Sequence, residues 1–168
     1  MVILGIDPGY AIVGYGALRY EHNHYKALEY GAIRTPAKTP FPQRLEQIYD
    51  GMQELLQRIK PDALSIEELF FNTNTTTAIA VAEARGVILL AGKQAGVTVA
   101  EYTPLQVKQA VVGYGRAQKA QVMELTRMLL GLREVPKPDD TADALAMAIC
   151  HANCAGSLLG ALMRQEGM

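Results

Sequence analysis

Residues 1–16, "MVILGIDPGYAIVGYG", decide how this chain is read. Val2 to Ile6 form an unbroken apolar run, the pattern of a buried strand, and Asp7-Pro8-Gly9 stops it. A second β-favouring run, "AIVGYGALRY" (11–20), begins almost at once. A third, "KALEYGAIRT" (26–35), follows the polar turn "EHNH". Connections this short join antiparallel neighbours, because a parallel crossover needs a dozen or more residues. The chain therefore opens as a three-stranded meander with a carboxylate, Asp7, at the end of its first strand. Such a charge is costly unless it is paired, solvated or bound to a cation.

Residues 42–59 carry Leu45, Ile48, Tyr49, Met52, Leu55, Leu56 and Ile59 at the spacing of one helix face. "ALSIEELFF" (63–71) reads as a fourth strand, "NTNTTT" as a polar loop, and residues 75–95 as a long, mostly apolar helix. "GVTVAEY" (96–102) is a fifth strand. Helices are expected over residues 105–112, 118–130 and 141–155, separated by "GYGR" and "GLREVPKPDD". The order βββαβαβααα predicts an α/β fold: a five-stranded mixed sheet, three strands antiparallel and then two parallel, with helices on both faces.

The 168 residues, 49% hydrophobic and 20% charged, suffice for one compact domain with a sizeable core. A formal net charge of −1 gives no global sign of a nucleic-acid binder, although it hides local patches. The two cysteines, Cys150 and Cys154, are too few for a disulfide framework and fit a reducing cytosol. The start lacks a basic n-region, and charged or polar groups interrupt the longest apolar stretches. A cytoplasmic protein without a membrane segment is expected.

Three places set acidic residues at strand ends or helix starts: Asp7, Glu67 in "SIEELFF", and the pair Asp140 and Asp143 in "PDDTADALA". Parallel first and fourth strands would bring Asp7 and Glu67 side by side at their carboxyl ends, where open α/β sheets place their sites. A spacing of three puts Asp140 and Asp143 on one side of a first helical turn. Converging carboxylates repel unless a hard divalent cation shares their charge, Mg²⁺ being the natural choice. Two such ions can clamp the attacking and leaving oxygens of a phosphodiester displacement. Taken singly, each acid has a plainer use: Asp7 in a turn, Glu67 solvated, Asp140 as a helix cap. The set is harder to dismiss than its members.

Residues 106–137 hold six basic residues, Lys108, Arg116, Lys119, Arg127, Arg133 and Lys137, against Glu124 and Glu134. Lys108 and Lys119 flank a glycine-containing turn, where they could grip phosphates from two helix ends. A solvated helix face accounts for Arg127 and Arg133. Phe70 and Phe71 follow Glu67, and an exposed aromatic there could stack on an unpaired base. Burial of both is the alternative. His151 lies among apolar neighbours, with a supporting role open. Cys150, His151 and Cys154 lack a fourth ligand at zinc-site spacing, so the cysteines read as packing residues.

Together, "GIDPGYAIVGYG", "IEELFF", "QVKQAVVGYGRAQKAQV" and "DDTADALAMAICHA" resemble the RuvC family of bacterial crossover junction endodeoxyribonucleases. The resemblance runs from Val2 to about Ala155. It implies a ribonuclease H-like fold over residues 1–156, with residues 157–168 a short tail whose order is open. It also implies a homodimer that resolves four-way Holliday junction DNA by paired, symmetric nicks and acts beside the RuvA–RuvB branch-migration complex. The family's catalytic and metal-binding carboxylates fall on Asp7, Glu67, Asp140 and Asp143, for two Mg²⁺ ions or substituting Mn²⁺. Its active-site lysines fall on Lys108 and Lys119 and its stacking aromatic on Phe70, with Arg116 a further DNA contact. Asp139 adjoins Asp140, but the spacing to Asp143 favours Asp140. The helix over residues 75–95 is the expected dimer element.

Three rivals stay in view. A YqgF-like or RNA-directed nuclease on the same fold would share the carboxylates without the junction-specific lysines and aromatic. An actin-like ATPase also opens with a "GIDxG" hairpin, but 168 residues make only one of its lobes. A non-catalytic DNA-binding protein would have no use for four carboxylates.

Overall fold

β1 (Val2–Asp7) is the middle strand of five because its apolar residues are covered on both sides: Ile3 faces one helical layer, and Leu4 and Ile6 face the other. The computed structural model describes residues 1–69 and 75–157. β2 (Ile12–Glu21) and β3 (His24–Arg34) complete the antiparallel meander. α1 (Phe41–Ile59) crosses over to β4 (Ala63–Glu67), parallel to β1, and α2 (Thr75–Gln94) leads to β5 (Thr98–Tyr102), parallel to β4. The sheet order is β3-β2-β1-β4-β5, which contains the expected meander and the expected parallel neighbours β1 and β4 and sets β5 at the edge.

The sheet separates two cores. On one face Ile48, Met52, Leu55 and Leu56 of α1 join Ile88 and Ala91 of α2 against Leu4, Ile6, Leu64 and Ile66. On the other, α3 (Pro104–Val112), α4 (Lys119–Leu129) and α5 (Asp139–Gly156) pack over Ile3 and Leu18. α5 is buried almost all round, and its alanines at 142, 144, 146, 148 and 152 let it lie close on the sheet. Among the described residues no helix is long and apolar enough to cross a membrane.

Two boundaries differ from expectation. β4 stops at Glu67 rather than at residue 71, because its partner β5 ends at Tyr102, whose carbonyl accepts a last bond from the Glu68 amide. α5 begins at Asp139, two residues before Thr141, with Pro138 at the N-cap. Thr141 is fully buried in the first turn, and its hydroxyl is spent on another strand.

Candidate active site

Ile6 stands level with Ile66 in the β1–β4 ladder, which sets Asp7 beside Glu67 at the carboxyl ends of neighbouring strands. By alternation both side chains share the face that Gly5 and Ser65 turn toward α5. That helix comes unusually near. A Cβ on Gly5 would lie 1.9 Å from the Ala144 carbonyl oxygen, and one on Gly14 would lie 2.1 Å from that of Asp140. Two hydroxyls hold it down: Ser65 Oγ donates to the Met147 carbonyl at 2.8 Å, and Thr141 Oγ1 to that of Gly31 at 3.0 Å. The N-terminal end of α5, with Asp140 in its first turn and Asp143 just beyond it, is thus pressed against the β1–β2 hairpin beside Asp7.

Glu67 is fixed from the opposite layer. Arg85 of α2 donates through Nε to the Glu67 carbonyl at 2.9 Å, and its Nη2 pairs with Glu101 of β5. One guanidinium therefore ties the ends of β4 and β5 to α2.

Asp7, Glu67, Asp143, Lys108 and Lys119 line one cavity of about 440 Å³. Burial, reinforced by Asp143, Glu67 and Asp140, pushes the Asp7 carboxyl up to about 8, against the pull of Lys119. Glu67 is raised by burial and then by Asp143. Asp143 is raised by burial too, opposed by Lys119, whose Nζ lies 2.8 Å from Asp143 Oδ2. The hydrogen bond to Asp143 in turn raises Lys119. With Asp143 turned onto Lys119, no three His, Cys, Asp or Glu side chains among the described residues converge at metal-ligand spacing. The donor set nonetheless fits a hard divalent cation: oxygen ligands only, partly buried, with more negative charge than one ammonium offsets.

Most of the expected residues meet here. Asp140 contributes to the charge around Asp7 and Asp143 but does not line the cavity. Asp139 is exposed and held by Lys137 at 3.0 Å, which lowers its carboxyl and leaves Asp140 as the inward acid. Lys108 lies in the cavity wall; Arg116 is exposed in the turn before α4 and away from that wall. Phe70 and Phe71 lie outside the described residues. His151 Nδ1 meets the Tyr102 hydroxyl at 2.8 Å, near Cys150 and Cys154, and is no part of the cavity. Arg127 pairs with Glu124 and caps the Leu132 carbonyl, a structural use. Sequence reasoning missed Ser65, Thr141, Arg85 and the glycine contacts. A polar residue inside an apolar strand, as in "ALSIE", was the available signal for Ser65.

The family described as crossover junction endodeoxyribonuclease RuvC matches residues 3–151. The protein of that name from Alkaliphilus metalliredigens is 60% identical over 153 residues, covering 91% of this chain and 93% of its own. The Thermus thermophilus RuvC structure superposes with a TM-score of 0.86 at 39% identity, covering 92% of this chain and 95% of that one. T. thermophilus RuvC in complex with Holliday junction substrate also gives 0.86, at 36% identity, covering 95% and 98%.

Proposed function

The chain belongs to the RuvC family of crossover junction endodeoxyribonucleases, and from that premise we propose that Asp7, Glu67, Asp140 and Asp143 are the catalytic carboxylates with which it resolves Holliday junctions. The observation that carries this is the convergence of Asp7, Glu67 and Asp143 on one cavity with two lysines, the Asp7 carboxyl pushed up to about 8. These carboxylates hold the divalent cation, Mg²⁺ or a substituting Mn²⁺, two ions per site. Bound there, the metal polarises phosphodiester oxygens and lowers the pKa of water. Lys119 opposes the upward push of burial on Asp143 and orients its carboxyl, and with Lys108 it offers ammonium groups to the backbone on either side of the cut. The products are a 5′-phosphate and a ligatable 3′-hydroxyl.

Residues 1–156 act as the nuclease domain. A twofold dimer pairs the cuts, since symmetry repeats the site across the junction. α2 supports this: Ile79 is 66% exposed, Leu90 51%, and between them Gly86 has open space around it. These positions share one side of an apolar helix and suit a second copy of the chain. Phe70 is assigned to stacking at the junction centre, and the RuvA–RuvB complex is the partner in the cell.

The deciding assay offers a synthetic four-way junction, a linear duplex and an RNA–DNA hybrid, each with and without Mg²⁺. Paired symmetric nicks in the junction alone, ligatable and Mg²⁺-dependent, are expected. Cutting of the hybrid instead would move the substrate to RNA.

Metal binding has its own readout. Asp7 binds its proton more tightly folded than unfolded, so its stabilising contribution is complete near pH 4 and is lost as pH rises toward 8. Glu67 and Asp143 act in the same direction. Chelated protein should therefore melt lower at pH 8 than at pH 5, and Mg²⁺ should stabilise it most at pH 8. At about 100 times its Kd the ion contributes about 2.7 kcal/mol. For a chain of this size that is an increase in Tm of about 5–10 °C. A Tm indifferent to Mg²⁺ at pH 8 would remove the metal from these carboxylates.

A further inference from the structure

Beside the active site, the loop after β3 and the start of α1 enclose a second groove of about 790 Å³, lined by Tyr10, Arg34, Thr35, Thr39, Phe41 and Arg44 among others, with no acidic residue in its wall. Arg44 is only 6% exposed. Its Nε and Nη2 donate to the carbonyls of Thr39 and Ala37, and its guanidinium lies 5.6 Å from the centre of the Tyr10 ring. Those contacts satisfy donors without neutralising charge. None of the ion pairs among the described residues includes Arg44 or Arg34; Arg116 and Arg133 are in none either, but both of those are exposed, whereas Arg44 is buried. A buried cation without a counterion, walled by a second arginine, is a receptor for an anion.

The sheet register places this groove relative to the cut. Asp7 pairs with Gly14 and Gly14 with Ala32, so Arg34 sits two strands across and two residues farther toward the same end of the sheet. Strand spacing of about 4.8 Å and a rise of about 3.3 Å per residue put the two Cα atoms about 12 Å apart. One strand of duplex carries a phosphate per about 3.4 Å of axis, so the groove lies within a few nucleotides of the scissile bond.

We propose that the Arg34–Arg44 groove binds a backbone phosphate of the junction arm flanking the cut, with Arg34 as the solvent-facing contact and Arg44 as the buried one. This rests on the junction reading above. The test is junction affinity against salt, about 50 to 300 mM NaCl, with divalent ions chelated so that nothing is cut. Wild type, Arg34→Ala, Arg34→Gln and Arg34→Lys are compared on one labelled junction. Loss of one phosphate contact should reduce the magnitude of the log Kd against log salt slope by about 1 in the Ala and Gln variants, with Lys close to wild type. Arg34 is exposed, so the melting temperature should stay near that of wild type, and Gln keeps part of the apolar stem. An unchanged slope in folded Arg34→Ala and Arg34→Gln overturns the proposal. Failure of the junction reading itself would look different: wild type would then show no preference for the junction over linear duplex.

Discussion

Asp7→Asn should abolish cleavage, lowering the single-turnover rate by about a thousandfold or more, while junction binding survives. The magnitude follows from the proposed site: a metal misplaced or lost there would forfeit several kcal/mol of transition-state stabilisation, at about 1.4 kcal/mol per tenfold in rate. The same substitution has a second signature that separates catalysis from folding. Asp7 is a partly buried acid raised to about 8 by burial, Asp143, Glu67 and Asp140, so its ionised form destabilises the chelated protein. Asparagine removes that charge at nearly constant volume. Chelated Asp7→Asn should melt above wild type at pH 8, show a flatter pH dependence between pH 5 and 8, and respond less to Mg²⁺. Loss of junction binding, or a lower Tm at pH 8, would instead make Asp7 a structural residue.

Gly5→Ala carries the largest expected cost in stability for the smallest chemical change. The added methyl would stand 1.9 Å from the Ala144 carbonyl oxygen and 2.8 Å from the Ala148 nitrogen, both main-chain atoms of α5 that no rotamer change can move. The helix must lift from the sheet, loosening the buried Ser65–Met147 hydrogen bond and the packing of Leu145 and Ile149. Overpacking of this kind costs about 3 kcal/mol, or about 6–12 °C in Tm at this chain length. Activity should fall further than stability explains, because α5 carries Asp140 and Asp143. The check is cleavage measured well below the variant's Tm. Wild-type stability and rate would mean that the close contact between α5 and β1 is dispensable.

What was legible in the residues follows from locality. Hydrophobic period and connection length report on the chain's own neighbourhood, so the meander and the two crossovers could be read directly, while the place of β5 beside β4 came from the structure. The acids at strand ends were visible for the same reason: Asp7 and Glu67 interrupt apolar runs that would otherwise exclude them. Boundaries were less legible. The end of β4 depends on where β5 stops, and the start of α5 on Thr141 finding the Gly31 carbonyl from another strand.

By itself, then, the sequence determined the α/β order, the two-faced sheet and the inventory of carboxylates and lysines, because these depend on side-chain type and short-range spacing. Only the tertiary structure decided which charges meet. It turned Asp143 onto Lys119 and Asp139 away onto Lys137, and it let Arg85 grip the Glu67 carbonyl. It also left Arg34 and Arg44 without an acid beside them in one groove. The reason is physical: the energy of a charge depends on its distance to other charges and on its burial, and both are properties of contacts between residues far apart in the chain.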